Sequence, residues 1–147
     1  MIDLENYITE SLGIHTDRPD IDDAWIFVVV KPGFEKYRED IINTFKKGGW
    51  ALSKIRTKRL LLKEAKRLYY THKDEKWYLP LCRYMSSAPT TAIIFVKEGI
   101  PMSDSIFEET GGIKDEIRKK WSESDMRNVM HSSDSLDAMK KESSIYF

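Results

Sequence analysis

The chain of 147 residues has one cysteine, no excess of either charge and no long apolar run. Cys82 has no partner for an internal disulfide bond, and the acidic start lacks the basic and apolar regions of a signal peptide. No apolar run approaches the roughly 20 residues that a helix needs to span a bilayer. We therefore expect a soluble, cytoplasmic protein that does not enter a membrane.

Basic and acidic residues balance at 24 each, although charged residues make up 33% of the chain. A balanced chain has no overall positive field with which to attract nucleic acid or an anionic membrane. The basic stretch 54–67 is the only segment that favours nucleic-acid binding, and the neutral net charge argues against it. We therefore do not expect a nucleic-acid partner. The mass of 17.2 kDa fits one domain, and any site for an anion must be local.

Apolar and β-branched segments predict four strands. Residues 24–30 are apolar throughout, which predicts a central strand buried on both faces. Further strands are predicted at 50–58, at 89–96 and in a short segment that ends at His131. Helical patterns lie between and after these strands, at 34–47, 60–70, 74–85, in two short pieces of 101–120 separated by Thr110-Gly111-Gly112, and at 134–142.

The order of strands and helices contains the split βαβ pattern of a ferredoxin-like sandwich. We therefore predict an α+β fold with a four-stranded antiparallel sheet and helices mainly on one face. Residues 1–23 are acidic and suit a short amphipathic helix, so we interpret them as an N-terminal extension that precedes a domain at 24–147.

A single histidine near the C-terminus is the candidate reactive group. His131 follows the apolar pair Val129-Met130 and precedes Ser133, Asp134 and Ser135, residue types that cap the start of a helix. A turn from strand to helix would present the ring at the edge of the core. The alternative is an ordinary boundary histidine whose ring bonds a neighbouring hydroxyl.

Five short motifs, placed in order along the chain, resemble those of the nucleoside diphosphate kinase family. The family's N-I-I-H-G-S-D-S corresponds to residues 128–135, and its K-E-x-x-x-W-F corresponds to residues 141–147. Its K-Y-M-x-S-G-P corresponds to residues 83–89, and its I-K-P to Val30-Lys31-Pro32. Ile117-Arg118 matches the family's I-R, with Arg118 thirteen residues before His131 as in the family.

The resemblance implies transfer of a terminal phosphate between nucleotides through phospho-His131. A neutral imidazole is a competent nucleophile near pH 7, and a covalent intermediate gives ping-pong kinetics. Ser133 and Glu142 would orient the ring. The resemblance implies that the phosphates and ribose are held by Lys31, Tyr69 (or Tyr70, by a shift of one residue), Thr110, Arg118 and Asn128.

The resemblance also implies that the base stacks on an aromatic ring, here Trp77. Stacking distinguishes bases poorly, so we expect broad base tolerance. The alternative for Trp77 is a core or interface tryptophan. Mg²⁺ would arrive with the nucleotide, bound mainly by phosphate oxygens and water. Family members are usually homo-oligomers, so we expect at least a dimer.

The chain departs from the family where a second phosphate-binding arginine is usual. Counting back six residues from Thr110 gives Asp104, and a carboxylate there would repel phosphate. Lys97, Lys114 or Arg127 could supply the missing cation. The segment between Thr110 and Arg118 is also about three residues shorter than in the family.

Two other departures are Asp125, where an apolar residue usually contacts the base, and Ser132 in place of a glycine. Two hypotheses follow. The first is an active, reduced-rate kinase that uses His131. The second is a member of this fold that binds a nucleotide or a protein without useful turnover, because Asp104 disrupts phosphate binding.

Overall fold

The computed structural model describes residues 23–147, which fold around the central strand β1 (Asp23–Val30). On one side β1 pairs antiparallel with β3 (Thr90–Pro101), and on the other with the short β4 (Met130–Ser132). The strand β2 (Ala51–Lys58) pairs antiparallel with the far side of β3. The sheet therefore has the order β2-β3-β1-β4, with β2 and β4 at its edges.

Helices cover both faces of this sheet, because side chains along β1 point alternately to opposite sides. Ala24, Ile26, Val28 and Val30 pack against the helices α1 (Arg38–Lys47) and α4 (Asp104–Trp121). Trp25, Phe27 and Val29 pack on the other side. The helices on that side are α2 (Leu62–Leu68), α3 (Tyr78–Met85) and α5 (Leu136–Ser143).

The strand order and the antiparallel pairing confirm the predicted ferredoxin-like class. The helices, however, are divided between the two faces instead of lying mainly on one. The apolar run of β1 is the physical reason, since seven of its eight residues are buried and both of its faces need cover. Short 3₁₀ helices at Glu35–Tyr37 and Tyr70–His72 complete the described secondary structure.

The predicted break at Thr110-Gly111-Gly112 is wrong, because α4 runs without interruption for 18 residues. Two internal glycines cost a helix about 1 kcal/mol each relative to alanine. Burial of Ile106 and Ile117 against the sheet is worth about 1.5–3 kcal/mol for each side chain. Packing therefore exceeds the intrinsic cost of the glycines, and the helix continues through them.

The predicted N-terminal extension at 1–23 falls, apart from Asp23 in β1, outside the described residues. None of the helices within 23–147 is both long and apolar enough to cross a membrane.

Candidate active site

His131 is held at the edge of the sheet by β4 and by the turn into α5. All three residues of β4 pair with β1, and His131 lies opposite Val29. The N–H of Ser133 donates to the carbonyl of Phe27 at 3.3 Å, which continues this attachment. Ser135 then caps α5 by accepting a hydrogen bond from the N–H of Ala138, as its residue type predicts.

A strained turn comes immediately before this strand. Val129 has φ +80°, and the N–H of Met130 donates to the carbonyl of Asn128 at 3.0 Å, which closes a three-residue turn. A β-branched residue with positive φ costs on the order of 1–3 kcal/mol. Complete burial of Val129 and a 2.9 Å bond from the N–H of Lys31 to its carbonyl hold the turn in place.

Glu142 fixes the tautomer of the His131 ring. The Nε2 atom hydrogen-bonds the Oε1 atom of Glu142, and the hydroxyl of Ser133 donates to the same oxygen at 3.0 Å. A carboxylate can only accept, so Nε2 carries the proton and Nδ1 keeps its lone pair. The geometry therefore leaves Nδ1 as the nucleophilic atom.

Burial lowers the pKa of His131 below its ordinary value near 6.5. Glu142 opposes this effect through its hydrogen bond and its charge, whereas the charges of Lys31 and Lys114 add to it. The ring is therefore neutral at pH 7. The edge of this ring meets the ring of Tyr69, with centroids 5.0 Å apart.

Lys31 lies at the end of β1 and is only 4% exposed. Its Nζ donates to the Oδ1 of Asn128 at 2.6 Å and to the carbonyl of Met126 at 3.2 Å. Burial, with the charges of Arg118 and Lys114, lowers its pKa from 10.5 to about 7. Lys31 is thus a cation without a carboxylate partner among the described residues.

Arg118 projects from α4 towards the same space. Its Nη2 donates to the carbonyl of Met130 at 2.8 Å, which ties the helix to the strand that bears His131. Its Nε is buried and has no partner within 23–147. Burial lowers its pKa below the ordinary value. The guanidinium therefore retains donors for an anion.

Tyr69, and not Tyr70, borders this space. Tyr69 is 5% exposed, and its hydroxyl is buried without a hydrogen-bond partner in the described part of the chain. Burial raises its pKa well above 10, so the hydroxyl remains a proton donor. Tyr70 is 55% exposed and contacts Lys73 instead.

An exposed aromatic ring also borders this space. Trp77 is 44% exposed, with its ring centroid 4.9 Å from that of His72. Leu81 and Met126 lie beside it. A planar base could stack on this exposed ring, which is not the environment of a core tryptophan. The sequence did not indicate His72 as a residue of this site, because its contact with Trp77 is seen only in the folded chain.

These groups border one cavity of about 570 Å³. Its lining combines cations and the candidate histidine with apolar and aromatic side chains, and it includes the exposed carboxylates Asp125 and Asp134. It is lined by Lys31, Tyr69, His72, Trp77, Leu81, Lys114, Arg118, Asp125, Met126, Asn128, His131, Ser132 and Asp134.

The structure does not bring Thr110 to this cavity. Thr110 is buried in α4, where its hydroxyl donates to the carbonyl of Ile106 at 2.9 Å. Because α4 is continuous, Thr110 lies eight residues before Arg118, or about 12 Å along the helix axis at 1.5 Å per residue. The predicted role of Thr110 assumed a loop that this chain does not form.

Asp104 is also outside the cavity lining. It is the exposed first residue of α4, about 21 Å along the axis from Arg118 at 1.5 Å per residue. Of the three cations that could substitute for an arginine there, Lys97 pairs with Glu109 and Arg127 pairs with Glu123. Only Lys114 borders the cavity.

A metal ion has no ready protein ligands here. No group of three or more histidine, cysteine or carboxylate side chains among residues 23–147 is arranged to hold one.

Comparison with known proteins gives one consistent family. The family model described as nucleoside diphosphate kinase matches residues 26–147. The nucleoside diphosphate kinase of Kosmotoga olearia is 28% identical over 135 residues, covering 82% of this chain and 86% of that protein. Nucleoside diphosphate kinase 1 of Protochlamydia amoebophila is 30% identical over 127 residues, covering 81% and 89%.

A crystal structure of the Aquifex aeolicus nucleoside diphosphate kinase has the same fold, with a TM-score of 0.69 at 21% identity. The match covers 86% of this chain and 96% of that chain. Since the family model spans most of this sequence, the chain belongs to the nucleoside diphosphate kinase family.

Proposed function

We propose that this chain transfers the terminal phosphate of a nucleoside triphosphate to a nucleoside diphosphate, through a phosphate carried by His131. The observation that supports this most directly is the neutral, oriented ring, whose Nδ1 lone pair borders a cavity with three cations. Family membership supports the same reaction.

In the first half-reaction, Nδ1 of His131 attacks the terminal phosphorus, and the bond from that phosphorus to the bridging oxygen breaks. The electron pair of that bond leaves on the diphosphate, which departs. In the second half-reaction, a terminal oxygen of another nucleoside diphosphate attacks the phosphorus and frees Nδ1. The two displacements share one site, which gives ping-pong kinetics.

Glu142 and Ser133 keep the ring oriented during both steps. The phosphorylated ring becomes more positive at Nε2–H, so the carboxylate of Glu142 stabilises it. Lys31, Arg118 and Tyr69 supply cations and a hydroxyl donor to the phosphate oxygens, and such positioning is most of what phosphoryl transfer needs.

Trp77 would hold the base by stacking, and the amide of Asn128 would contact the ribose. Because the Oδ1 of Asn128 accepts from Lys31, its NH₂ group is left to donate. The substrate would be the magnesium complex of the nucleotide. The alternative of a member without turnover assumed that Asp104 disrupts phosphate binding, and Asp104 is not among the residues that line this cavity.

The phosphoenzyme is the direct test. Incubation with a triphosphate labelled at its terminal phosphate, with Mg²⁺, should give a phosphoprotein that is labile to acid and stable to base. His131→Ala should carry no label, whereas His72→Ala, which alters another histidine of the same cavity, should still be labelled. Label that survives His131→Ala, or no label on the natural chain, would contradict the proposal.

We also infer that residues 24–147 form the catalytic domain, that residues 1–23 are an extension to it, and that the protein acts in the cytoplasm. The unpaired, buried Cys82 supports a reducing compartment. We further infer a homo-oligomer of at least two chains. A mass of 17.2 kDa in sedimentation equilibrium, that of one chain, would rule this out.

A further inference from the structure

Lys114 is a half-buried cation that borders the cavity and forms no hydrogen bond or ion pair with any of residues 23–147. Its charge lowers the pKa of Lys31 and of His131, and the charge of Arg118 lowers the pKa of Lys114. Three other basic residues on or near α4 have carboxylate partners: Lys97 pairs with Glu109, Lys120 with Glu116 and Arg127 with Glu123.

The position of Lys114 follows from its register with Arg118 in α4. Residues four apart on a helix lie on one face, so Lys114 and Arg118 project together, one turn apart. The helical turn that runs from Lys114 to Arg118 thus carries two cations to the cavity.

Three like charges at one end of a cavity repel each other. Burial lowers the pKa of Lys114, and Arg118 lowers it further. Asp115 and Asp134 act in the opposite direction, but neither forms an ion pair with Lys114. Such a cluster is relieved by an anion of several charges, and a triphosphate that brings its terminal phosphate to His131 is one.

We propose that Lys114 is a phosphate-binding residue, which together with Lys31 and Arg118 holds the terminal phosphate of a nucleoside triphosphate beside His131. This inference rests on the proposed function for the identity of the ligand. It assigns the cation that this chain uses although Asp104 stands where the family resemblance would place an arginine. Because Lys114 has no hydrogen bond or ion pair to lose within residues 23–147, its removal should leave the fold of this part intact.

Binding to the full chain separates this role from that of a solvated surface lysine. The ligands are a non-hydrolysable nucleoside triphosphate with Mg²⁺ and the matching nucleoside monophosphate, measured by calorimetry. Lys114→Gln should weaken triphosphate binding roughly ten- to a hundredfold, as expected for the loss of a charged hydrogen bond. Monophosphate binding should change less than about threefold, because that phosphate does not reach Lys114.

Two variants act as controls. Lys114→Arg keeps the charge and should bind the triphosphate within a few-fold of the natural chain. Lys119→Gln removes an exposed lysine of the same helix that does not border the cavity, and should change nothing. Thermal unfolding of each variant checks that its fold is intact. Lys114→Met, a second variant without the charge, should weaken triphosphate binding as Lys114→Gln does.

Unchanged triphosphate binding in Lys114→Gln overturns the inference. An equal loss for both ligands also overturns it, because that result would mean a damaged cavity. The test needs no turnover. If the natural chain forms no phosphohistidine but its triphosphate binding depends on Lys114, the proposed reaction fails and this inference stands. If the natural chain forms the phosphohistidine but its triphosphate binding does not depend on Lys114, the inference fails and the proposed reaction stands.

Discussion

The ring of His131 has two nitrogen atoms, and their surroundings differ. Nε2 bonds the carboxylate of Glu142, which also accepts from Ser133. Nδ1 is left unprotonated, and burial keeps the whole ring neutral by lowering its pKa. In the proposed reaction, the nucleophilicity of His131 thus comes from one hydrogen bond that selects the tautomer and from burial that disfavours the cation.

Glu142→Gln should slow phosphorylation of His131 by roughly ten- to a hundredfold, the kinetic equivalent of about 1.5–3 kcal/mol for a charged hydrogen bond. The amide can still accept from Nε2, but it cannot balance the charge of the phosphorylated ring. Since Glu142 raises the pKa of His131, that pKa should also fall in the variant. Rapid-quench labelling and an NMR titration of the ring measure the two effects.

Glu116→Gln is a matched control, because Glu116 is exposed on α4 and pairs only with Lys120. It should leave both the rate and the titration unchanged. An unaltered rate in Glu142→Gln would argue that this residue has no part in orienting the ring.

Lys31, a proposed phosphate-binding residue, is buried, and burial makes its charged form unfavourable to the folded chain. Its folded pKa is about 7, well below the 10.5 of an exposed lysine. Between these two values the unfolded chain binds more protons than the folded chain, so this group makes stability rise with pH across that window. At pH 7 the charge on Lys31 therefore opposes folding.

Lys31→Met should abolish phosphate transfer and yet raise the free energy of unfolding at pH 7, by about 1–4 kcal/mol if it behaves like other buried charges replaced by apolar residues. The gain should shrink as the pH approaches 10, because the natural chain recovers the same stability there. Urea unfolding at several pH values measures this. A variant that is less stable at pH 7, with the pH dependence of the natural chain, contradicts it.

At the scale of the element, α4 decides which residues reach the cavity. Lys114 and Arg118, one turn apart on this helix, lie at the cavity, and Thr110 is buried within the helix. The two glycines predict a break when read alone, because glycine is a poor helix former. Burial of Ile106 and Ile117 outweighs that preference, and this burial cannot be read from the segment itself.

Gly111→Ala should therefore stabilise the protein by about 0.5–1 kcal/mol. A Cβ added there meets nothing within 4 Å, and the backbone is already helical. Gly33→Ala should do the opposite, since Gly33 has φ +88° and its added Cβ would lie 2.7 Å from Nη2 of Arg127. Chemical denaturation of both variants makes the comparison, and a destabilised Gly111→Ala would argue against a continuous α4.

At the scale of the whole molecule, the cavity joins elements that are far apart in sequence. Lys31 follows β1, Tyr69 follows α2, Trp77 precedes α3, and Arg118 and His131 belong to α4 and β4. The exposed ring of Trp77 offers a face for stacking, and stacking accepts any base because every base has a flat face. The arrangement favours a general nucleotide enzyme over one specific for a single base.

Trp77→Ala should weaken binding of adenine, guanine, cytosine and uracil triphosphates alike, by about 1–3 kcal/mol each. The order of preference among the four should stay the same. Dissociation constants measured for all four nucleotides give the answer. A loss confined to one base would show that Trp77 takes part in selective recognition instead of general stacking.

The sequence by itself determined the fold class, the family and most of the candidate site. The apolar run before Lys31 determined a central strand, and the alternation of patterns determined the ferredoxin-like order, because periodicity follows directly from burial on a strand or a helix. The motifs around His131 and Arg118 could also be recognised from the sequence, since the residues of each motif lie close together in the chain.

Only the tertiary structure decided what depends on packing between distant segments. It divided the helices between two faces, kept α4 unbroken, and separated Asp104 and Thr110 from the cavity. It also selected Lys114 from three nearby cations and Tyr69 from two adjacent tyrosines. The physical reason is that a side chain's direction is set by the register of its element, and register is fixed by burial against the rest of the molecule.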